Sequence, residues 1–218
     1  MKPAKNALIL ITLVVAALLS ACGNDRTKAN EILLRAASPF EDMVEFALAK
    51  DEAGIAKSLA AAASNTAAVR DTLPPAATAQ FDPFLQTIRG AAVAKGHYAV
   101  AQSAVEVYRL LIDNLDAKSL TVPKEVSLLD YAGFKLHVLA AAPQPDWAAM
   151  RRTVDDAAGW WAAIKPKVEE KSLLNAFNSA VVGLQQAAKA EHLPMLNFAA
   201  QINLDLVDLL EGYFERKK

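Results

Sequence analysis

Residues 97–116 set Ala101, Ala104, Val105, Tyr108, Leu111, Ile112 and Leu115 three and four positions apart, with Gln102, Glu106, Arg109 and Asp113 between them. That spacing predicts a helix with one buried stripe. In 146–165 the stripe is Trp147, Met150, Val154, Ala157, Trp161 and Ile164, and Arg151, Arg152, Asp155 and Asp156 lie off it. No stretch alternates apolar and polar residues long enough to predict a strand, so the predicted fold class is all-α. Proline marks the boundaries. Ser38-Pro39-Phe40-Glu41 has the spacing of a capping box with proline at the first helical position. Asp82-Pro83, Val122-Pro123, Pro145-Asp146 and Lys171-Ser172 predict further starts, and Pro74-Pro75, Pro143 and Pro166 predict ends. About eight helices follow, near 39–50, 52–72, 83–95, 97–116, 123–141, 146–165, 172–189 and 192–215, after a lead-in at 26–37. Only the links at 73–82 and 117–122 are long, and short links predict antiparallel hairpins.

The pattern repeats. Phe40 pairs with Tyr131, Pro74 with Pro166, and Phe84 and Gly90 with Phe177 and Gly183. After a few inserted residues, Gln102, Val105, Glu106 and Leu110 pair with Gln201, Leu204, Asp205 and Leu209. This predicts two pseudo-repeated four-helix units, 38–120 and 121–218. A solenoid of α-hairpins is the alternative arrangement.

The N-terminus differs from the rest. Met1-Lys2-Pro3-Ala4-Lys5-Asn6 is basic, and Ala7 to Leu19 is apolar except for Thr12. Thirteen such residues fall short of the roughly 20 needed to span a bilayer but suit the apolar core of a secretory signal. The run ends in Leu19-Ser20-Ala21-Cys22, which holds the single cysteine of the chain. This resembles the lipobox of bacterial lipoproteins. The resemblance implies a diacylglyceryl group on the Cys22 sulfur, cleavage after Ala21, and acylation of the new amine by a fatty acid such as palmitate. Residues 1–21 are then a signal peptide and 22–37 a lipidated N-terminus and tether. Gly23, rather than Asp, follows the cysteine; in the sorting rule of this class that implies the outer membrane, facing the periplasm. The periplasmic face of the inner membrane is the alternative.

The whole chain carries 23 basic and 24 acidic residues. Losing Lys2 and Lys5 with the signal leaves a net charge of about −3, without the strongly basic footprint of a nucleic-acid binder. With no cysteine after Cys22, the domain is held by packing alone.

Candidate chemistry is sparse. His97 and His192 open the last helix of each half, and Met195 lies one turn beyond His192. Neutral imidazole and thioether could serve copper or haem iron; capping and packing at hairpin turns are the structural alternative. His137 shares a helix face with Asp130 two turns away, which reads as an exposed polar stripe. Asn203 falls within an apolar arc, opposite Ala104 of the other half, and predicts either a register-setting amide or a pocket lining. Trp160 sits off its stripe and predicts an interface between halves; with Asn203 and Tyr131 it could alternatively line a small-molecule pocket. No nucleophile–base pair, carboxylate pair beside a histidine, or glycine-rich phosphate loop is recognisable. Duplicated helical bundles occur in imelysin-like iron-uptake proteins, but their Gly-x-His-x-x-Glu signature is missing: Gly96 and His97 are adjacent. The sequence names no particular cofactor, and metal or haem stays open as the alternative. The expectation is a non-catalytic helical binding or scaffold domain, joined to a membrane through Cys22 and engaging an envelope protein partner, with a metal- or haem-binding protein as the alternative.

Overall fold

The computed structural model describes the backbone of residues 5–217 and the side chains of residues 25–217. The side chains of Leu19, Ser20, Ala21 and Cys22 lie outside the described residues. The fold is all-α. The helices are α1 (Lys5–Leu48), α2 (Glu52–Thr72), α3 (Pro75–Val93), α4 (His97–Asp113), α5 (Lys124–Ala140), α6 (Trp147–Ile164), α7 (Lys171–Lys189) and α8 (Leu193–Glu215). Single 3₁₀ turns occupy Ala117–Ser119 and Lys165–Lys167. Consecutive helices pack antiparallel. Among the described residues no helix is long and apolar enough to cross a membrane.

Two predicted boundaries are corrected, both at proline. The lead-in at 26–37 and the start at Ser38-Pro39 are interior to α1, and Pro39 is buried within it. Asp82-Pro83 likewise lies inside α3, which starts at Pro75. An interior proline removes a backbone donor and crowds the carbonyl four residues back. The apolar stripe outweighs that cost. Leu33, Ala36, Ala37, Phe40, Met43, Val44 and Ala47 continue across Pro39, each at most 2% exposed. Ala77, Phe81, Leu85 and Ile88 do the same across Pro83.

Matching helix bounds recur in the fold, but at a different offset from the sequence pairing. Residues 171 and 189 bound α7 as 75 and 93 bound α3, and α8 begins at 193 as α4 begins at 97, each 96 positions on. The turns match too. Lys95 and Glu191 both take the left-handed conformation, at φ 54° and 51°. In each turn the next amide closes onto the carbonyl five residues back, Gly96 N–H to Ala91 O at 2.8 Å and His192 N–H to Ala187 O at 3.0 Å. This is a Schellman stop. Phe81 therefore corresponds to Phe177 and Ile88 to Leu184, all at most 1% exposed. The pairing of Phe84 with Phe177 is one helical turn out, and Asn203 corresponds to Val107 rather than Ala104.

Packing follows one plan in both sets of four. The first helix lies against the second and fourth, and the third against the fourth. The sets meet where α4 lies on α5. Leu128, Tyr131, Phe134 and Val138 of α5 join the core built by α1–α4. The opposite side of α5, with Leu129, Ala132 and Leu136, belongs to the cores of α6–α8. α5 is buried on both sides, as its apolar run of Val126, Leu128, Leu129, Tyr131 and Phe134 requires.

Candidate functional site at the junction of the halves

A cleft of about 510 Å³ opens where α1, the 117–122 link, α5 and α8 meet. Its apolar lining is Leu34, Leu115, Leu120 and Val122, and its acidic side chains are Glu31, Glu211 and Glu215. Thr27 and Asn30 complete the α1 wall. Asn30 is 3% exposed and makes a two-way bridge to the link. Its Nδ2 donates to Asp116 O at 2.9 Å, and its Oδ1 accepts from Asp116 N at 2.8 Å. The Asp116 carboxylate caps the 3₁₀ turn, accepting from Lys118 N, and faces Arg26 at 3.4 Å. The Lys118 amide first, and then Ser119 and Arg26, hold Asp116 below the usual carboxylate range. The wall of the cleft is thus fastened to the stretch of α1 just beyond Cys22.

A carboxyl pair, Glu41 and Asp130, connects to the cleft lining through Ser127 and Glu211. Tyr108 of α4 sends its hydroxyl toward Asp130 Oδ2 at 3.1 Å and Ser127 O at 3.2 Å on α5. Glu41 of α1 faces both Tyr108 and Asp130, close enough for each to act on its carboxyl. Burial is the main cause that raises Glu41, to about 7, and nearby Glu211 and Asp42 add to it. Burial and the Glu41 charge hold Asp130 well above the usual range. Two adjacent carboxyls in a poorly solvated place cannot both be ionised cheaply. The pair therefore holds a proton near neutrality. Glu211, which lines the cleft, is itself raised by burial and by Asp208 and Glu215. The site links four helices, α1, α4, α5 and α8, from both halves through one cluster of ionisable side chains.

Sequence reasoning missed Glu41, Tyr108 and Asp130. Glu41 read as a capping residue, and Asp130 read as part of an exposed stripe with His137. Neither reading holds. Asp130 turns into the α4–α5 junction, and His137 is half-buried with its Nε2 enclosed. Burial holds His137 below the ordinary imidazole range. The usable signal was α5 itself: a helix apolar on both sides with one acid, Asp130, in its middle.

The sequence-derived candidates are dispersed. His97 lies against α2 and α3, in a hollow lined by Glu52, Ile55, Leu59, Arg89 and Ala92. His192 lies at the α7–α8 turn, where its Nδ1 accepts from Met195 N at 3.1 Å and so caps α8. The neighbouring Glu191 pairs with Arg151 of α6. Met195 is 42% exposed. Among the described residues no group of three or more His, Cys, Asp or Glu is placed to hold a metal ion. Tyr131 and Trp160 do meet, edge to face at 6.3 Å, and Arg109 of α4 stacks on both, at 5.0 and 4.8 Å. Lys135 of α5 pairs with Glu106 of α4 beside them. Asn203 is elsewhere: fully buried, it donates from Nδ2 to Leu129 O at 2.7 Å, joining α8 to α5. Leu129 and Tyr131 are about 200° apart around α5, so Asn203 and Tyr131 face different cores.

Comparison with known proteins finds no matching family model, no matching curated protein and no matching solved structure.

Proposed function

We propose that the chain is a lipid-anchored protein of the bacterial envelope whose helical domain is a non-catalytic binding module, and that it binds its partner in the cleft between the halves. The tether rests on the apolar run closed by Leu19-Ser20-Ala21-Cys22, with Gly23 favouring the periplasmic face of the outer membrane. The binding role rests on one observation: a 510 Å³ cleft lined by apolar side chains and three carboxyl side chains at the junction of the two sets of helices. Partly apolar, concave junctions are where ligands and partners commonly seat. The cleft begins at Thr27, five residues from Cys22, so an anchored chain would offer it close to the membrane surface.

Native mass spectrometry of the full chain, isolated from its own host in a mild detergent, tests this reading. The expected result is a bound species on the wild type that is lost in a Leu34→Asp/Leu120→Asp variant of unchanged helicity. A bare chain in both samples contradicts binding at the cleft. An added metal or haem mass that survives this variant, but is lost with His97 and His192, supports the alternative instead.

A further inference from the structure

The outer face of α8 carries Met195, Phe198, Ile202, Leu206 and Leu209 within an arc of about 80°. Phe198 is 67% exposed and Leu209 57%. Two large side chains this open on one helix face are unusual for a free surface. The fold does not demand them. At the corresponding positions of α4, Phe198, Ile202 and Leu209 are replaced by Gln102, Glu106 and Asp113. Alongside runs α7, whose Gly183 faces Ala199 of α8 at ordinary packing distance. At the C-terminal end the stripe opens into a hollow of about 240 Å³ between Leu173, Ala176, Leu206 and Leu209, edged by Glu170 and Arg216. The result is an exposed apolar face along α8 with a hollow at one end.

Charge identifies the occupant. α8 has no basic residue between Leu193 and Glu215, and the edge of the stripe away from α7 carries Asp205 and Asp208. Glu45 of α1 continues that acidic edge, close enough to feel the charge of Asp208. We infer that this face docks a basic amphipathic helix from another protein, its apolar side on the α8 stripe and its lysines or arginines toward Asp205 and Asp208. Helix-in-groove recognition of this kind uses anchors at i, i+3, i+4 and i+7. A second copy of the chain would bring its own Asp205 and Asp208 against these. An anionic lipid surface would meet the same repulsion. The face is separate from the cleft, and the inference does not depend on the cleft being occupied.

The test is fluorescence anisotropy with the full chain in phosphatidylcholine nanodiscs and two labelled synthetic 18-residue helices, one Leu/Lys and one Leu/Glu. The Leu/Lys helix is expected to bind saturably, and at least tenfold more weakly to Phe198→Asp and to the milder Phe198→Ser. In an Asp205→Lys/Asp208→Lys variant the preference is expected to reverse toward the Leu/Glu helix. Circular dichroism checks that these surface changes leave the fold intact. Equal binding of both helices to the wild type, or no effect of the substitutions, overturns the inference. So does a wild-type dimer that Phe198→Asp dissolves without any helix binding, which gives the face to a second copy. Binding to phosphatidylglycerol vesicles in place of the helix, lost in the same variant, gives it to lipid and overturns the inference equally.

Discussion

Glu41 and Asp130 make the folded chain sensitive to pH. Burial raises Glu41 from 4.5 to about 7. A carboxyl so raised binds its proton more tightly in the folded than in the unfolded chain. Its stabilisation is therefore full below about pH 4.5 and is lost as pH rises through about 7. For Glu41 alone that window represents roughly 3 kcal/mol. Urea unfolding at pH 5 and pH 8 is expected to show the wild type losing more stability across this interval than Glu41→Gln. Parallel losses in the two proteins would mean that Glu41 does not titrate in that window. The left-handed turns give a second residue-scale prediction. Lys50 and Lys95 stand at φ 58° and 54°, where a Cβ is strained. Lys50→Gly and Lys95→Gly are each expected to stabilise by about 0.5–1 kcal/mol, read as a rise in thermal midpoint. The Lys95–Glu52 pair lost in the second is solvent-exposed and worth little. The helix breaks at 51 and 96 were legible, but their left-handed conformation was hidden because neither Lys50 nor Lys95 is glycine or asparagine. The carboxyl pair was hidden because it joins residues far apart in the chain across a packing that spacing alone does not specify.

At the scale of elements, stripes were legible and prolines misled. The predicted ends of α2, α4, α5, α6, α7 and α8 lie within three residues of those observed, because one buried face sets each helix. The start of α1 and the 73–82 link failed, because tertiary burial of Phe40 and Phe81 outweighs an interior proline. The repeat was legible as a pattern, but its register was not. Ala-rich helices align almost as well one turn out, and only matching caps and buried phenylalanines fix the offset at 96. The Asn30 bridge is the element-scale device with the clearest consequence. It fastens α1 to the link that edges the cleft, with two hydrogen bonds on a buried side chain. Asn30→Ala is expected to destabilise by roughly 2 kcal/mol, since it leaves the Asp116 N–H unpaired and removes one of the two donors, Asn30 and the Ser119 amide, to the Asp116 carbonyl. It should also speed amide exchange in residues 115–122 more than in α6 or α7. Uniform exchange across the chain would show that the bridge does not hold the link.

At the scale of the molecule, two sets of four helices share α5 as a common wall, and their junction forms the cleft. The candidate site could not be read from motifs, because its lining comes from four separate stretches of chain, none with a signature. His97, His192 and Met195 drew attention as residue types, yet His97 lies in its own hollow and the other two sit at a turn on another part of the fold. The proposed tether is the reverse case: it rests on Leu19-Ser20-Ala21-Cys22 alone and depends on no packing. Cys22→Ser is expected to move the protein from the membrane to the soluble fraction of its host, by immunoblot after fractionation. Retention on the membrane would contradict lipidation at Cys22.

The central claim is that the cleft engages a partner in the cell. The most direct measurement is photo-cross-linking in the native host, with a benzophenone amino acid placed in the cleft at Leu34 and, as control, at exposed Ser64 on α2. The account predicts a discrete adduct from position 34 that is absent from position 64 and diminished by Leu120→Asp. No adduct at 34, or the same adducts from both positions, would contradict it.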